Sequence, residues 1–224
     1  MQKDTSYFDL IEASSESGCP VCRISLELAR HYVDSILYEY VNDPGVRAEF
    51  RQARGYCTEH AWLMPEGHGR GLGIAIIQRD VVETVLDLTQ VLPDGRNARQ
   101  IGQELLKRLR PTVECPVCAH RRAMEDIALH ALLENIATPD LSAALDRSSG
   151  LCLVHFSRAL ELVDEAQALS QLVALEQRKL SELRDDLAEF IRKNDYRFRD
   201  EGFGKEGDSW RRAIGIVSGE RGVR

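Results

Sequence analysis

The chemistry-bearing residues of this sequence are thiols and imidazoles in short, recurring spacings. Cys19-Pro20-Val21-Cys22 returns as Cys115-Pro116-Val117-Cys118, and each copy is followed by a Gly-x-Cys-x-x-His element: Gly55-Tyr56-Cys57-Thr58-Glu59-His60 and Gly150-Leu151-Cys152-Leu153-Val154-His155. Between Cys22 and Cys57 lie 34 residues, and between Cys118 and Cys152 lie 33, so the set recurs with a period of 95 to 96. All six cysteines of the chain belong to it.

Three thiolates and an imidazole are a closed tetrahedral donor set for zinc. A Cys-x-x-Cys turn aims both sulfurs at one point, and a Cys-x-x-His pair at a helix start puts its ligands on one helical face. Neighbouring pairs along the chain predict two sites, Cys19, Cys22, Cys57 and His60 in one, Cys115, Cys118, Cys152 and His155 in the other. The expected cofactor is therefore zinc, two ions per chain, with an iron–sulfur cluster as the alternative. Four protein ligands leave no open position for a substrate, so the expected role is structural. A dithiol redox pair leaves Cys57, Cys152 and both histidines unexplained, and six cysteines in two matching patterns are a poor fit to plain buried hydrophobes.

Helices must position these ligands, and the pattern predicts an all-α fold with no convincing strand. A short helix over residues 5 to 15 leads to the first cysteine pair. From it runs a helix striped by Leu28/Ala29, Tyr32/Val33, Ile36/Leu37 and Tyr40/Val41, stopped at Asn42-Asp43-Pro44. Asp43 suits an N-cap and Pro44 the first turn of the next helix, with Thr138-Pro139 the matching pair 95 residues later. Glycine at 67, 69, 71 and 73 reads as a loop. A helix through Ile74 to Leu92 closes at Pro93-Asp94-Gly95, a basic linking helix covers 97 to 110, and Leu169, Val173, Leu180, Leu183, Leu187 and Ile191 stripe a long last helix. The expected organisation is 1–96 as a first helical repeat with its metal site, 97–193 as a second, and 194–224 as a C-terminal tail, with the short linking helix favouring one compact body.

Six of the sixteen glycines lie between Gly202 and Gly222. In this tail Tyr196, Arg197, Arg199, Ser209, Trp210 and Arg211 concentrate charge and aromatic surface, a candidate anion site, although the plainer reading docks Trp210 into a groove. Asp208 or Ser209 caps a short helix whose apolar face is Trp210, Ala213, Ile214 and Val217, with Gly219 as its stop. His31 and His130 read as ordinary surface or core histidines, His120 as a substitute fourth ligand in one copy, and Glu176 as a polar interruption of an apolar stripe.

At 43% hydrophobic and 29% charged residues the chain has the balance of a soluble globular protein. A net charge of -7 disfavours nucleic acid as the partner, no apolar run approaches a membrane span, and the N-terminus lacks an apolar signal core, which together predict a cytoplasmic protein. The doubled Cys-Pro-x-Cys and Gly-x-Cys-x-x-His elements, with Asp195-Tyr196-Arg197 and Asp208-Ser209-Trp210, resemble a family of uncharacterised prokaryotic proteins of unknown function. That resemblance implies metal binding and carries no activity with it. The expected function is a metal-binding interaction or regulatory module with a protein or small anionic ligand as partner. The alternatives are an iron–sulfur or thiol-based redox sensor, and an enzyme with an anion site where Tyr196, Arg197 and Trp210 converge near Glu176.

Overall fold

Proline inside each Cys-Pro-Val-Cys element fills a first-turn helical position, where its missing N–H costs nothing, and a long helix follows in both places. A computed structural model describes residues 5–92, 97–198 and 200–222. Among these residues the regular structure is entirely helical: α1 (Thr5–Ala13), α2 (Pro20–Tyr38), α3 (Pro44–Ala53), α4 (Thr58–Leu63), α5 (Gly71–Thr89), α6 (Ala98–Leu109), α7 (Pro116–Asn135), α8 (Pro139–Arg147), α9 (Leu153–Leu162), α10 (Ala166–Lys193) and α11 (Ser209–Ser218), with three short 3-10 turns. Asp43 caps α3 by accepting the Val46 N–H at 2.9 Å. Thr138 occupies the same place before α8 but turns its hydroxyl back onto the Asn135 carbonyl at 2.8 Å. The expected stop at Pro93-Asp94-Gly95 lies outside the described residues.

The helices gather into two compact units, Met1–Glu27 with Ala123–Arg224, and Leu28–Arg122. The divisions fall inside α2 and α7, whereas the sequence placed them at 96/97 and 193/194. In the first unit Tyr7 and Leu10 of α1 are buried with Val21, with Leu129 and Leu132 of α7, Leu141 and Leu145 of α8, and Leu172 and Leu175 of α10. In the second, Ala29, Val33 and Leu37 of α2 are buried with Met64 and Val117, and a neighbouring cluster joins Ile36, Phe50, Ile77 and Val81.

Three local expectations change. Gly71 and Gly73 lie in the first turn of α5, outside any loop. The reason is packing: a Cβ on Gly73 would sit 2.6 Å from the Leu37 carbonyl oxygen, so only glycine lets α5 approach α2 there. The buried face of α10 is Ala168, Leu172, Leu175, Glu176, Leu183 and Asp186, of which the apolar stripe anticipated only Leu183. Leu169, Leu180 and Ile191 are exposed because two carboxylates take up the inner face and find donors there. Glu176 accepts the Leu151 N–H at 2.8 Å, and Asp186 receives Arg212 at 3.0 Å and Lys205 at 3.1 Å.

The same ion pairs orient the tail. Arg212 drawn toward Asp186 turns Ser209 and Ile216 of α11 inward, so Trp210, Ile214 and Val217, expected to pack, face solvent. Gly219, with φ 77°, ends α11 as anticipated. Before α11, Glu206 is buried and accepts from Lys193 Nζ at 2.7 Å and from the Gly204 N–H at 2.8 Å.

Two expectations follow from this packing. Leu172→Ala empties a fully buried site and should lower stability by about 3 kcal/mol in chemical denaturation. The Lys193 ammonium and the Gly204 N–H hold the Glu206 carboxyl down from its ordinary 4.5 to about 2. A depressed carboxyl contributes stability that is present above its unfolded pKa and lost as pH falls through the folded one. In a Trp62→Phe background, Trp210 fluorescence should therefore report loosening of the tail as pH falls from 4.5 to about 2, and Glu206→Gln should show the loosened signal already at neutral pH.

Candidate metal centres

All four ligand pairs are built by one local device. The carbonyls of Cys19, Cys57, Cys115 and Cys152 accept the N–H four residues on, from Arg23, Ala61, Ala119 and Phe156, which opens α2, α4, α7 and α9. Each cysteine thus stands where an N-cap stands, and the residue three places later, Cys22, His60, Cys118 or His155, sits in the same first turn. Those two positions face each other, as the partners of a capping box do. For Cys57 and Cys152 the extended backbone (φ -65°, ψ 165° and φ -73°, ψ 160°) spends no side-chain hydrogen bond on the helix, leaving the sulfur for the site.

In the unit formed by Met1–Glu27 and Ala123–Arg224, the starts of α2 and α9 meet. His155 Nδ1 lies 3.5 Å from Cys19 Sγ, 3.4 Å from Cys22 Sγ and 3.3 Å from Cys152 Sγ, and Cys22 Sγ lies 3.6 Å from Cys152 Sγ. All four residues are buried. In the unit Leu28–Arg122, the starts of α7 and α4 meet. His60 Nδ1 lies 3.2 Å from Cys57 Sγ, 3.7 Å from Cys115 Sγ and 3.3 Å from Cys118 Sγ, with Cys57 and Cys118 sulfurs 3.6 Å apart. His60 and Cys115 are buried, Cys57 and Cys118 half-buried.

The eight side chains expected as ligands gather in two groups of four, but the grouping is crossed. Cys19 and Cys22 join Cys152 and His155, and Cys115 and Cys118 join Cys57 and His60, where the sequence paired neighbours. Helix lengths explain the difference. At 1.5 Å per residue the 19-residue α2 is about 28 Å long, against about 15 Å for the 10-residue α3 that follows it. The chain then turns at Arg54 and Gly55, whose φ of 57° and 92° are left-handed, and Cys57 is not returned to the start of α2. Hydrogen bonds between the approaching segments secure the crossed arrangement: Gly18 N–H donates to Ser149 Oγ at 3.0 Å, and Thr112 N–H to the Gln52 carbonyl at 3.0 Å.

The donor geometry fits a single metal ion. Zn–S bonds near 2.3 Å and Zn–N bonds near 2.0 Å make tetrahedral edges of about 3.8 Å between sulfurs and about 3.5 Å between sulfur and nitrogen. The distances above cluster at those values. Electrostatics ask for a cation as well. Burial alone would lower the His155 pKa, yet hydrogen bonds with Cys152, Cys22 and Glu125 carry it up to about 11. In the other group, hydrogen bonding from Cys118 first, and from His60, lowers the Cys115 thiol, while Cys118 is pushed up by its bond to Cys115. Three close thiols cannot all ionise without positive charge among them, and a divalent ion would supply it.

Around these ligands the two sites differ. His155 Nε2 lies 3.4 Å from Glu125 Oε1, which places a carboxylate behind the ring. Seven residues after Cys118 stands Glu125, and seven after Cys22 stands Ala29, so the repeat carries the carboxylate in one copy only. His120 is no ligand; its ring stacks on Tyr32 with centroids 4.0 Å apart at 11°. His31 and His130 are exposed.

The tail candidates do not converge. Tyr196 is 84% exposed, Arg197 is paired with Asp195 at 2.7 Å, and Arg211 lies over the Trp210 ring at 4.8 Å. Ser209 is fully buried, its hydroxyl without a hydrogen-bond partner among the described residues, and Arg199 lies outside them. Glu176, expected beside an anion pocket, instead holds the backbone at Leu151 next to Cys152, with its pKa raised to about 7 by burial. Its support of the ligand loop was not foreseen; a carboxylate interrupting an apolar face was the signal.

No solved structure matches the chain. It is 27% identical over 189 residues, 84% of its length and 88% of the other's, to a protein of Caldicellulosiruptor sp. (strain Rt8B.4) described as "Uncharacterized 23.9 kDa protein in xynA 3'region". Of the helices among the described residues, none is long and apolar enough to cross a membrane. The family of unknown function DUF6062 matches residues 1–222, nearly the whole chain with both ligand groups and the tail, and the protein belongs to that family.

Proposed function

We propose that each unit is closed by one zinc ion held by three thiolates and a histidine Nδ1, and that the chain is an interaction or regulatory module on this scaffold. The observation that carries the zinc reading is the closeness of the donors: four separations in each group lie between 3.2 and 3.7 Å, and all donor atoms of a group lie within 4.8 Å of one another. An iron–sulfur cluster distributes its four ligands over two or more irons, which would spread the set as a whole beyond the edge of a mononuclear tetrahedron. Four protein ligands saturate zinc, so the ion would contribute folding free energy and offer no substrate position. The proposed partner is a protein or a small anion, met by the exposed Tyr196, Arg197, Trp210 and Arg211, and six metal-ligating thiols suit a reducing compartment such as the cytoplasm.

Elemental analysis of the purified chain should find two zincs and a colourless solution; iron with a visible band would overturn the assignment. Chelation should unfold the chain, because structural zinc contributes on the order of 10 kcal/mol, comparable with the whole stability of a domain. Single-ligand variants check the crossed partnership. Cys152→Ser should drop one zinc and open Cys19 and Cys22 to alkylation while the buried Cys115 stays protected, and Cys57→Ser should open Cys115 while Cys19 and Cys22 stay protected. Neighbour pairing requires the opposite pattern.

A further inference from the structure

The two ligand groups are alike in donors and unlike in surroundings. Cys19, Cys22, Cys152 and His155 are all 3% exposed or less, and Glu125 backs the imidazole. In the unit Leu28–Arg122, Cys115 is packed among Ala29, Val33, Leu37, Met64 and Val117, but Cys57 and Cys118 stand at the edge of that cluster, half-buried, with their sulfurs 3.6 Å apart. An attacking reagent can reach a thiolate only where solvent can, and two adjacent accessible sulfurs can close on each other. Each comes from a different helix start, so joining them removes one ligand from each chelating pair.

We propose that Cys57 and Cys118 form a site of oxidative modification for small two-electron oxidants of the hydroperoxide class, and that its reaction opens the metal centre of Leu28–Arg122 while the other stays closed. One thiolate attacks the peroxide oxygen, the O–O bond breaks, a sulfenic acid forms and hydroxide leaves to be protonated to water. The second thiolate then attacks the sulfenic sulfur, the S–S bond forms and a second hydroxide leaves. Two thiolates are oxidised, one peroxide is reduced, and two protons are taken up to give two waters. Metal at that centre is left with Cys115 and His60, too few to hold it. This inference rests on the metal reading only for the release step, since the thiol pair is defined by its own geometry and accessibility.

The test uses the full chain as purified, titrated with hydrogen peroxide in the presence of a chromophoric chelator, followed by peptide mapping. One equivalent of metal should appear about tenfold or more ahead of the second, together with a Cys57–Cys118 linked peptide, while Cys19, Cys22 and Cys152 map as reduced. Glu125→Gln should speed release from the protected centre by about 10–100-fold and leave the Cys57–Cys118 reaction unchanged. Simultaneous release of both equivalents, or oxidation of Cys19, Cys22 or Cys152 first, would overturn the inference. A chain that carries and takes up no metal but still yields the Cys57–Cys118 peptide first would sink the metal reading and the release step while leaving the modification site standing.

Discussion

Two Cys3His groups, each gathering four donor atoms within 4.8 Å of one another, are the constraint around which the helices of this chain are arranged. A helix start can supply two of them from one turn, so each group needs two helix starts brought together. Both groups use that solution, α2 with α9 and α7 with α4. Apolar packing fills in around this arrangement: Val21 and Val117, the residues between the paired cysteines, are both completely buried.

Because the partners at each centre lie far apart in sequence, the continuity of α2 and α7 acquires structural meaning. Cys22, in the first turn of α2, belongs to one unit, whereas Ala29, Val33 and Leu37 further along the same helix belong to the core of the other. In α7, Cys118 and Leu129 are divided in the same manner. The unit of Met1–Glu27 and Ala123–Arg224 is therefore assembled from segments remote in the chain, whereas Leu28–Arg122 is one continuous stretch, and each holds one Cys3His group.

Polar groups inside the first unit have positional work. Glu176 ties the ligand-bearing loop at Leu151 to α10, and Asp186 and Glu206 draw in Arg212, Lys205 and Lys193 to hold the C-terminal segment. Buried carboxylates with good donors set orientation where apolar contact alone leaves a helix free to rotate. In α11 this effect is visible: its apolar residues Trp210, Ile214 and Val217 remain outside because the Arg212–Asp186 pair and the burial of Ser209 turn the other face inward.

Local chemistry was legible from residue order. Proline at first-turn positions, Asp43 as a cap, Gly219 as a stop, the helix starts at all four ligand pairs and the identity of the eight ligands depend on interactions within four or five residues, which a sequence displays directly. Partnership did not depend on such interactions. Which Cys-x-x-Cys meets which Cys-x-x-His was decided by the unequal lengths of α2 and α3, by left-handed turns at Arg54 and Gly55, and by bonds such as Gly18 to Ser149 across 131 residues. Ala29 and Glu125 show the same division of labour: the sequence determines that one copy carries a carboxylate and the other a methyl group, and only the tertiary structure sets that carboxylate against His155, because a contact between α7 and α9 exists once the chain has folded.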